Sequence, residues 1–442
     1  MFLKIVLFVQ LLFVVNQIHF PWAKSGIPGV AAANVIFLVA LLAMRGKTEE
    51  VTAPAMLKKP MMYFFGALAF SFLWAQVRGG GDFLDDLTYF KNAVFFMLFY
   101  FIHLRCRQDE KTTRLLIIWI LVIAAVAGLE AVHEGFDYGF GKYNPFRRAS
   151  GPFGEDWHNS NRAGVFYAMF MPMFVAMALF LRQRKLWRIA AIGGIILLAG
   201  GTLFTYSRQS YFIVIFAFAL LFLRKSVILT ALVTIVLISS VSYLPDSVFQ
   251  RVEETKQVDK NGQEETDEST ASRWEIWAQG LAMAADAKIG VGLNRFKKEL
   301  GNYGSHKKMD AHDFYVLTLA EMGPQGLATL IFLLFTCMKL TAFVRKNLPA
   351  DDPETRALAL GFTVMTVCMM MGEIYGSPFF DGEVMAPYWS MCGLMERYTH
   401  LKMQATVPVA AAQAEPSMTE RFPLAAYMLS GRPDRPREPP SS

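Results

Sequence analysis

Apolar residues in this chain come in long blocks, not in the alternation of a half-buried sheet or the single stripe of a surface helix. The blocks run Phe2–Phe20, Gly29–Met44, Met61–Val77, Leu87–Leu104, Leu115–Val132 and Ala163–Leu181. They continue with Leu186–Phe204, Gln209–Leu223, Ser226–Leu244, Pro324–Val344, Ala357–Tyr375 and Val384–Met395. Most approach the ~20 residues that a helix needs to cross a bilayer. Inside hydrocarbon a segment must satisfy its own backbone hydrogen bonds, so the blocks predict helices. The pattern predicts an all-α, polytopic membrane protein with about twelve spans.

The basic residues between the blocks predict an orientation. Arg45, Lys47, Lys58 and Lys59 share one side with Arg105, Arg107, Lys111 and Arg114. Arg182, Arg184, Lys185, Arg188, Arg224, Lys225, Arg345, Lys346 and Arg356 fall on that side too. The opposite short loops carry Lys24 and Arg78, and nothing basic from Gly376 to Glu383. By the positive-inside rule the first side is cytoplasmic, with both termini there. Two long connections, about 133–162 and 245–323, then lie outside, where loops of that length are usually functional or disordered. The second contains Arg273-Trp274-Glu275-Ile276-Trp277, whose spacing predicts a helix. The acidic stretch before it, Glu253 to Glu268, is expected to be mobile and to close over substrate. The expected division is a membrane domain over 1–400 and a tail over 401–442. That tail is rich in Ala, Pro, Ser and Arg, a composition that predicts cytoplasmic disorder.

Composition agrees. The 442 residues are 54% hydrophobic and 18% charged, and mean hydropathy is +0.32. A soluble domain carries nearer a quarter charged residues. The net charge of +6 is accounted for by residues at span ends, so it predicts no nucleic-acid partner. The four cysteines, Cys106, Cys337, Cys368 and Cys392, have no metal-ligand spacing and predict no disulfide framework. The first block has no small-residue cleavage site and a second span follows at once, so it reads as a helix and not as a signal peptide. Phosphate-binding glycine loops, a His/Cys metal set and a Gly-x-Ser-x-Gly elbow are absent from the sequence.

Candidate chemistry gathers on the outer side. Arg147 and Arg148 precede Gly151, and Asn161 and Arg162 open a span. Thr205-Tyr206-Ser207-Arg208 forms a tight outer turn. Arg251 and Arg273 lie in the long loop, and Ala311-His312-Asp313-Phe314 closes it. An arginine in an outer turn runs against the positive-inside bias, and its planar fork suits phosphate oxygens. Snorkelling to lipid headgroups is the plainer reading. His312 could take a proton from a hydroxyl near neutral pH, or be a satisfied interfacial histidine. Arg273 could pair with Glu268, Arg147 and Arg148 could be a solvated pair, and Asn161 could simply cap its helix.

The order of these motifs resembles the O-antigen ligase/polymerase family of bacterial membrane glycosyltransferases. The resemblance rests on Ser207-Arg208, Ser272-Arg273-Trp274-Glu275-Ile276-Trp277, Ile289-Gly290-Val291-Gly292-Leu293-Asn294-Arg295-Phe296 and His312 through Gly323, with Gly151 to Asn161 before them. It covers roughly Gly151 to Val344. It implies transfer of a glycan from an undecaprenyl diphosphate carrier to an acceptor on the periplasmic face of the inner membrane, with no cofactor and no metal. The acceptor would be lipid A–core for a ligase, a growing lipid-linked chain for a polymerase, or a glycoprotein. Arg208 and Arg273, and more weakly Arg251, match the arginines that hold the diphosphate. His312 matches the histidine beside the acceptor hydroxyl. Tyr206, Arg147, Arg148, Asn161 and Arg162 are further possible substrate contacts. Asp313 stands where the family commonly has a neutral polar residue, so either His312 or Asp313 could be the base. The rival class is a transporter or flippase of lipid-linked glycans, which predicts pseudo-symmetric halves; the chain shows no internal repeat.

Overall fold

The computed structural model describes residues 2–16, 32–44, 51, 53–139, 144, 147–154, 159–223, 256–258, 264–266 and 268–406. The expected span Ser226–Leu244, Arg251 and most of the expected tail lie outside these residues. The regular structure of the described residues is helical apart from one short hairpin. Its helices are α1 (Phe2–Asn16), α2 (Ala32–Ala43), α3 (Lys58–Arg78), α4 (Phe83–Phe95), α5 (Phe99–Leu104), α6 (Glu110–Asp137) and α7 (Asn159–Phe180). There follow α8 (Lys185–Phe204), α9 (Arg208–Leu223), α10 (Glu268–Asp286), α11 (Phe296–Glu299), α12 (Phe314–Asn347), α13 (Pro353–Gly372) and α14 (Gly382–Thr406). Strands β1 (Lys256–Val258) and β2 (Glu264–Thr266) pair antiparallel within the acidic stretch.

Among the described residues seven helical stretches are long and apolar enough to cross a membrane: α3, α4 with α5, α6, α7, α8, α12 and α13. Three shorter apolar helices, α1, α2 and α9, accompany them. This defines a multi-pass helical membrane protein. The last expected span falls within α14, a helix of mixed character. It buries Trp389 beside Ser390, Glu396, Arg397 and Thr399.

Local sequence explains the helix boundaries. Asp82, Asp109, Asp313 and Asp352 each stand at an N-cap and accept backbone amides of the first turn, as short acidic side chains do best. Pro353 follows at the first helical position of α13, where its missing N–H costs nothing. Helix α12 is bent at Gly323-Pro324. Gly323 sits at φ +72, and Pro324 cannot donate to the turn before it. The expected span started at Pro324; the helix actually begins ten residues earlier, on the far side of this kink.

Helices α7 and α13 form the centre and pack along each other, with α8 and α9 against α7 and α14 against α5. Glycines permit the closest crossings. A Cβ on Gly361 of α13 would lie 2.9 Å from the Met173 Cα of α7, and one on Gly393 of α14 would lie 2.3 Å from the Tyr100 carbonyl oxygen. Small residues at crossings let dispersion contacts hold helices together where lipid removes the hydrophobic drive.

The bundle has two different ends. At one, Arg114 and Arg184 both bind Glu354, Arg397 donates to the Leu104 and Gln108 carbonyls, and Tyr100 donates to Glu396. That end carries the basic short loops. The other end carries the segment 147–154, the turn at 205–207, the segment from 287 to 313 and the loop from Glu373 to Asp381.

Candidate functional site

The turn between α8 and α9 is built to present Arg208. Thr205 donates its hydroxyl to the Thr202 carbonyl at 2.7 Å and accepts the Ser207 amide at 3.3 Å. Tyr206 is buried in the left-handed region at φ +48. The chain can then reverse within three residues, and Arg208 becomes the first residue of α9. Its half-buried side chain starts where helix amides and the helix dipole favour an anion.

Arg148 locks this turn from outside. It is buried; its Nε donates to the Thr205 carbonyl and its Nη2 to Asn161 Oδ1, both at 2.7 Å. The Ala149 amide adds a bond to the Phe204 carbonyl at 3.1 Å. One carboxylate oxygen of Glu134, near the end of α6, accepts the amides of Ser150 and Gly151 at 2.8 and 2.7 Å. The segment from Arg148 to Gly151 is therefore a strap between α6, α7 and the α8–α9 turn. Asn161 serves it as an acceptor. Arg147 is exposed at its edge.

The second part is the turn into α12. His312 is half-buried and adopts φ +50. Asp313 is buried and its Oδ1 accepts the Val316 amide at 2.8 Å. Burial pushes the Asp313 carboxyl up to about 6, against the pull of the capped amides. The Phe314 amide donates to the Glu373 carbonyl at 2.8 Å, and the Phe314 ring stacks on Phe379 with centroids 4.6 Å apart.

The third part is α10. The Arg273 guanidinium lies 6.0 Å from the centroid of Tyr375. Trp277 packs on the same tyrosine at 5.2 Å and donates to the Ala311 carbonyl at 2.9 Å, next to His312. Arg273 thus has an aromatic neighbour that tolerates its charge.

These three parts meet on one stretch, 371–376. Gln209, next to Arg208, donates to the Gly372 carbonyl at 2.7 Å. Arg273 reaches Tyr375, and Phe314, two residues past His312, bonds to Glu373. The structure therefore brings the segments carrying Arg208, Arg273 and His312 to one place, although they lie far apart in sequence. Arg162 sits apart from them on α7 and pairs with Asp381 at 3.2 Å.

Several further residues gain a role only in the fold. Glu373 is buried; its Oε2 accepts the Phe379 amide at 3.1 Å, while Oε1 has no hydrogen-bond partner among the described residues. Burial, and then the neighbouring carboxylates Asp313 and Asp381, raise its pKa well above the usual range. Asp381 is also raised, by burial, with Arg162 opposing. An acid and an aromatic in a short loop without basic residues was the available signal. The Ile289–Phe296 motif proves architectural. Val291 and Gly292 donate to the Ala320 and Glu321 carbonyls at the kink, and Leu293 donates to Ser71 of α3. Arg295 is buried and grips Asp86 of α4 with two nitrogens, at 2.8 and 2.7 Å.

Fold and site together define a multi-pass membrane protein with arginines and a histidine gathered at one end of the bundle. Residues 193–331 match the family model described as O-antigen ligase, which supports the O-antigen ligase/polymerase family for this chain. The matched segment carries Arg208, Arg273 and His312. No curated protein matches the chain.

Proposed function

We propose that this protein is a membrane glycosyltransferase that moves an oligo- or polysaccharide from an undecaprenyl diphosphate carrier to an acceptor hydroxyl at the periplasmic face of the inner membrane. The observation that carries the reading is the convergence on 371–376 of the Arg208, Arg273 and His312 segments, all three of which lie within the matched region.

The chemistry follows from the groups. The acceptor oxygen attacks the anomeric carbon opposite the carrier, a new C–O bond forms, and the bond to the diphosphate breaks with inversion. The diphosphate leaves with the electron pair. Arg208 and Arg273 stabilise the charge that grows on it, and the α9 N-terminus adds its dipole. The acceptor proton goes to His312. Asp313 anchors the turn through the Val316 amide and so holds the left-handed geometry that presents the imidazole. The energy of the glycosyl–diphosphate bond drives the step, which suits a compartment without ATP.

The test is transfer by purified protein supplied with lipid-linked glycan and candidate acceptors. Arg208→Ala and His312→Ala are expected to lose on the order of 100-fold in turnover while remaining folded. Unimpaired turnover in either variant would remove that residue from the mechanism, and in both would overturn the reading.

A further inference from the structure

A polar cavity at the site end takes no part in the chemistry above. It is an open cleft of about 450 Å3, within the roughly 300–1,000 Å3 of small-molecule sites. Its walls come from α4, the residues at 153 and 154, the first turn of α7 and the 380–383 segment that opens α14.

The lining has two characters. Asn92, Arg162, Asp381 and Glu383 supply amide, guanidinium and carboxylate groups, which both donate and accept. Phe96, Phe153 and Phe380 supply aromatic surface. One guanidinium stands against two carboxylates, and Arg162 is already paired with Asp381. A phosphate would meet surplus negative charge here. A small cation would leave the aromatic walls without purpose. A ligand dense in hydroxyls, uncharged, with apolar C–H faces, fits both characters. That is a sugar.

Two observations tie the cavity to the transfer site. Phe380 meets the Phe314 ring edge-on, with centroids 4.8 Å apart, and Phe314 lies two residues past His312. The loop that supplies Tyr375 beneath Arg273 ends at Asp381 on the cavity wall. Moreover, every lining residue lies outside the matched segment 193–331. The shared segment carries the candidate transfer residues, so a lining that lies outside it is where acceptor choice can vary. We infer that this cavity, given the transfer reading above, is the subsite for the acceptor glycan, and that its lining selects the accepted sugar.

Full-length protein in nanodiscs is mixed with free oligosaccharides released by mild acid from the envelope of cells that encode the chain. Saturation-transfer NMR then reports bound sugar protons. Wild type and Arg208→Ala are expected to bind. Asn92→Ala is expected to weaken binding about tenfold, the loss of one good hydrogen bond, and Asn92→Trp to abolish it by filling the space. In the transfer assay Asn92→Ala should raise the acceptor KM about tenfold and leave the donor KM unchanged. Absence of a sugar signal on wild type, or an equal signal on Asn92→Trp that elutes and binds donor like wild type, overturns the proposal. Sugar binding that depends on Asn92 in a protein without transfer activity also overturns the acceptor role. It does so through failure of the transfer reading, and the persisting signal tells the two failures apart.

Discussion

Replacing Asp313 by Asn separates its structural role from its charge. Asn caps a helix about as well as Asp, so the bond to the Val316 amide survives. What disappears is a carboxylate whose pKa is lifted by burial from the usual 3.8 to about 6. The folded state therefore holds this proton more tightly than the unfolded chain does. Its contribution is fully present below about pH 4, is lost as pH rises towards 6, and above that leaves a constant penalty. At about 1.4 kcal/mol for each tenfold change in proton affinity, less what nearby solvent screens, the penalty is at most about 3 kcal/mol. Asp313→Asn should then melt higher than wild type at pH 8, by a few degrees, and match it at pH 4. The assay is thermal unfolding of both proteins in one detergent across that range. A melting difference independent of pH would refute the reasoning, because it would show the buried carboxylate is not the source. If His312 is the base and Asp313 only its anchor, the variant should also retain most of its transfer activity.

Other residues give sharper structural tests. Arg148→Ala should lower the melting temperature and reduce transfer, since each charged hydrogen bond it makes contributes about 1.5–3 kcal/mol; Arg148→Lys should not restore either, because the clamp uses two nitrogens on different partners. Arg295→Ala strands Asp86 in the interior, at a cost of about 3–5 kcal/mol, so accumulation of folded protein should collapse, as measured by monodisperse yield from membranes. Tyr375→Ala removes the aromatic face from Arg273, worth about 1 kcal/mol, and should raise the donor KM roughly fivefold; an unchanged donor KM would mean that Arg273 does not meet the carrier.

Much of the helical layout was legible because a bilayer imposes long apolar runs on the chain. The blocks around Met61, Leu115, Ala163, Leu186 and Ala357 all fall on helices. The helix from Arg273 was legible from its aromatic spacing. What the pattern could not convey was pairing across distance. Arg148 looked like a solvated or substrate-facing cation, yet it is consumed by Thr205 and Asn161. Arg295 stood unremarked inside a motif, and its partner Asp86 lay just before an apolar block, beside Asp85, with nothing in the pattern to single it out. Glu373 read as the end of a span; only the fold puts its carbonyl on Phe314 and its carboxylate on Phe379. The stretch 371–376 was invisible as a meeting point because it contributes backbone carbonyls and one tyrosine, which carry no motif.

Transfer driven by the carrier alone can be measured directly. The direct measurement reconstitutes purified protein in vesicles with lipid-linked glycan and a hydroxyl acceptor, with chelator and without nucleotide. Mass spectrometry and linkage NMR then follow the sugar. A glycosyltransferase of this kind yields a new glycosidic product of inverted anomeric configuration and releases the carrier diphosphate. Movement of intact lipid-linked glycan across the vesicle membrane, with no new glycosidic bond, would contradict transfer and identify a flippase.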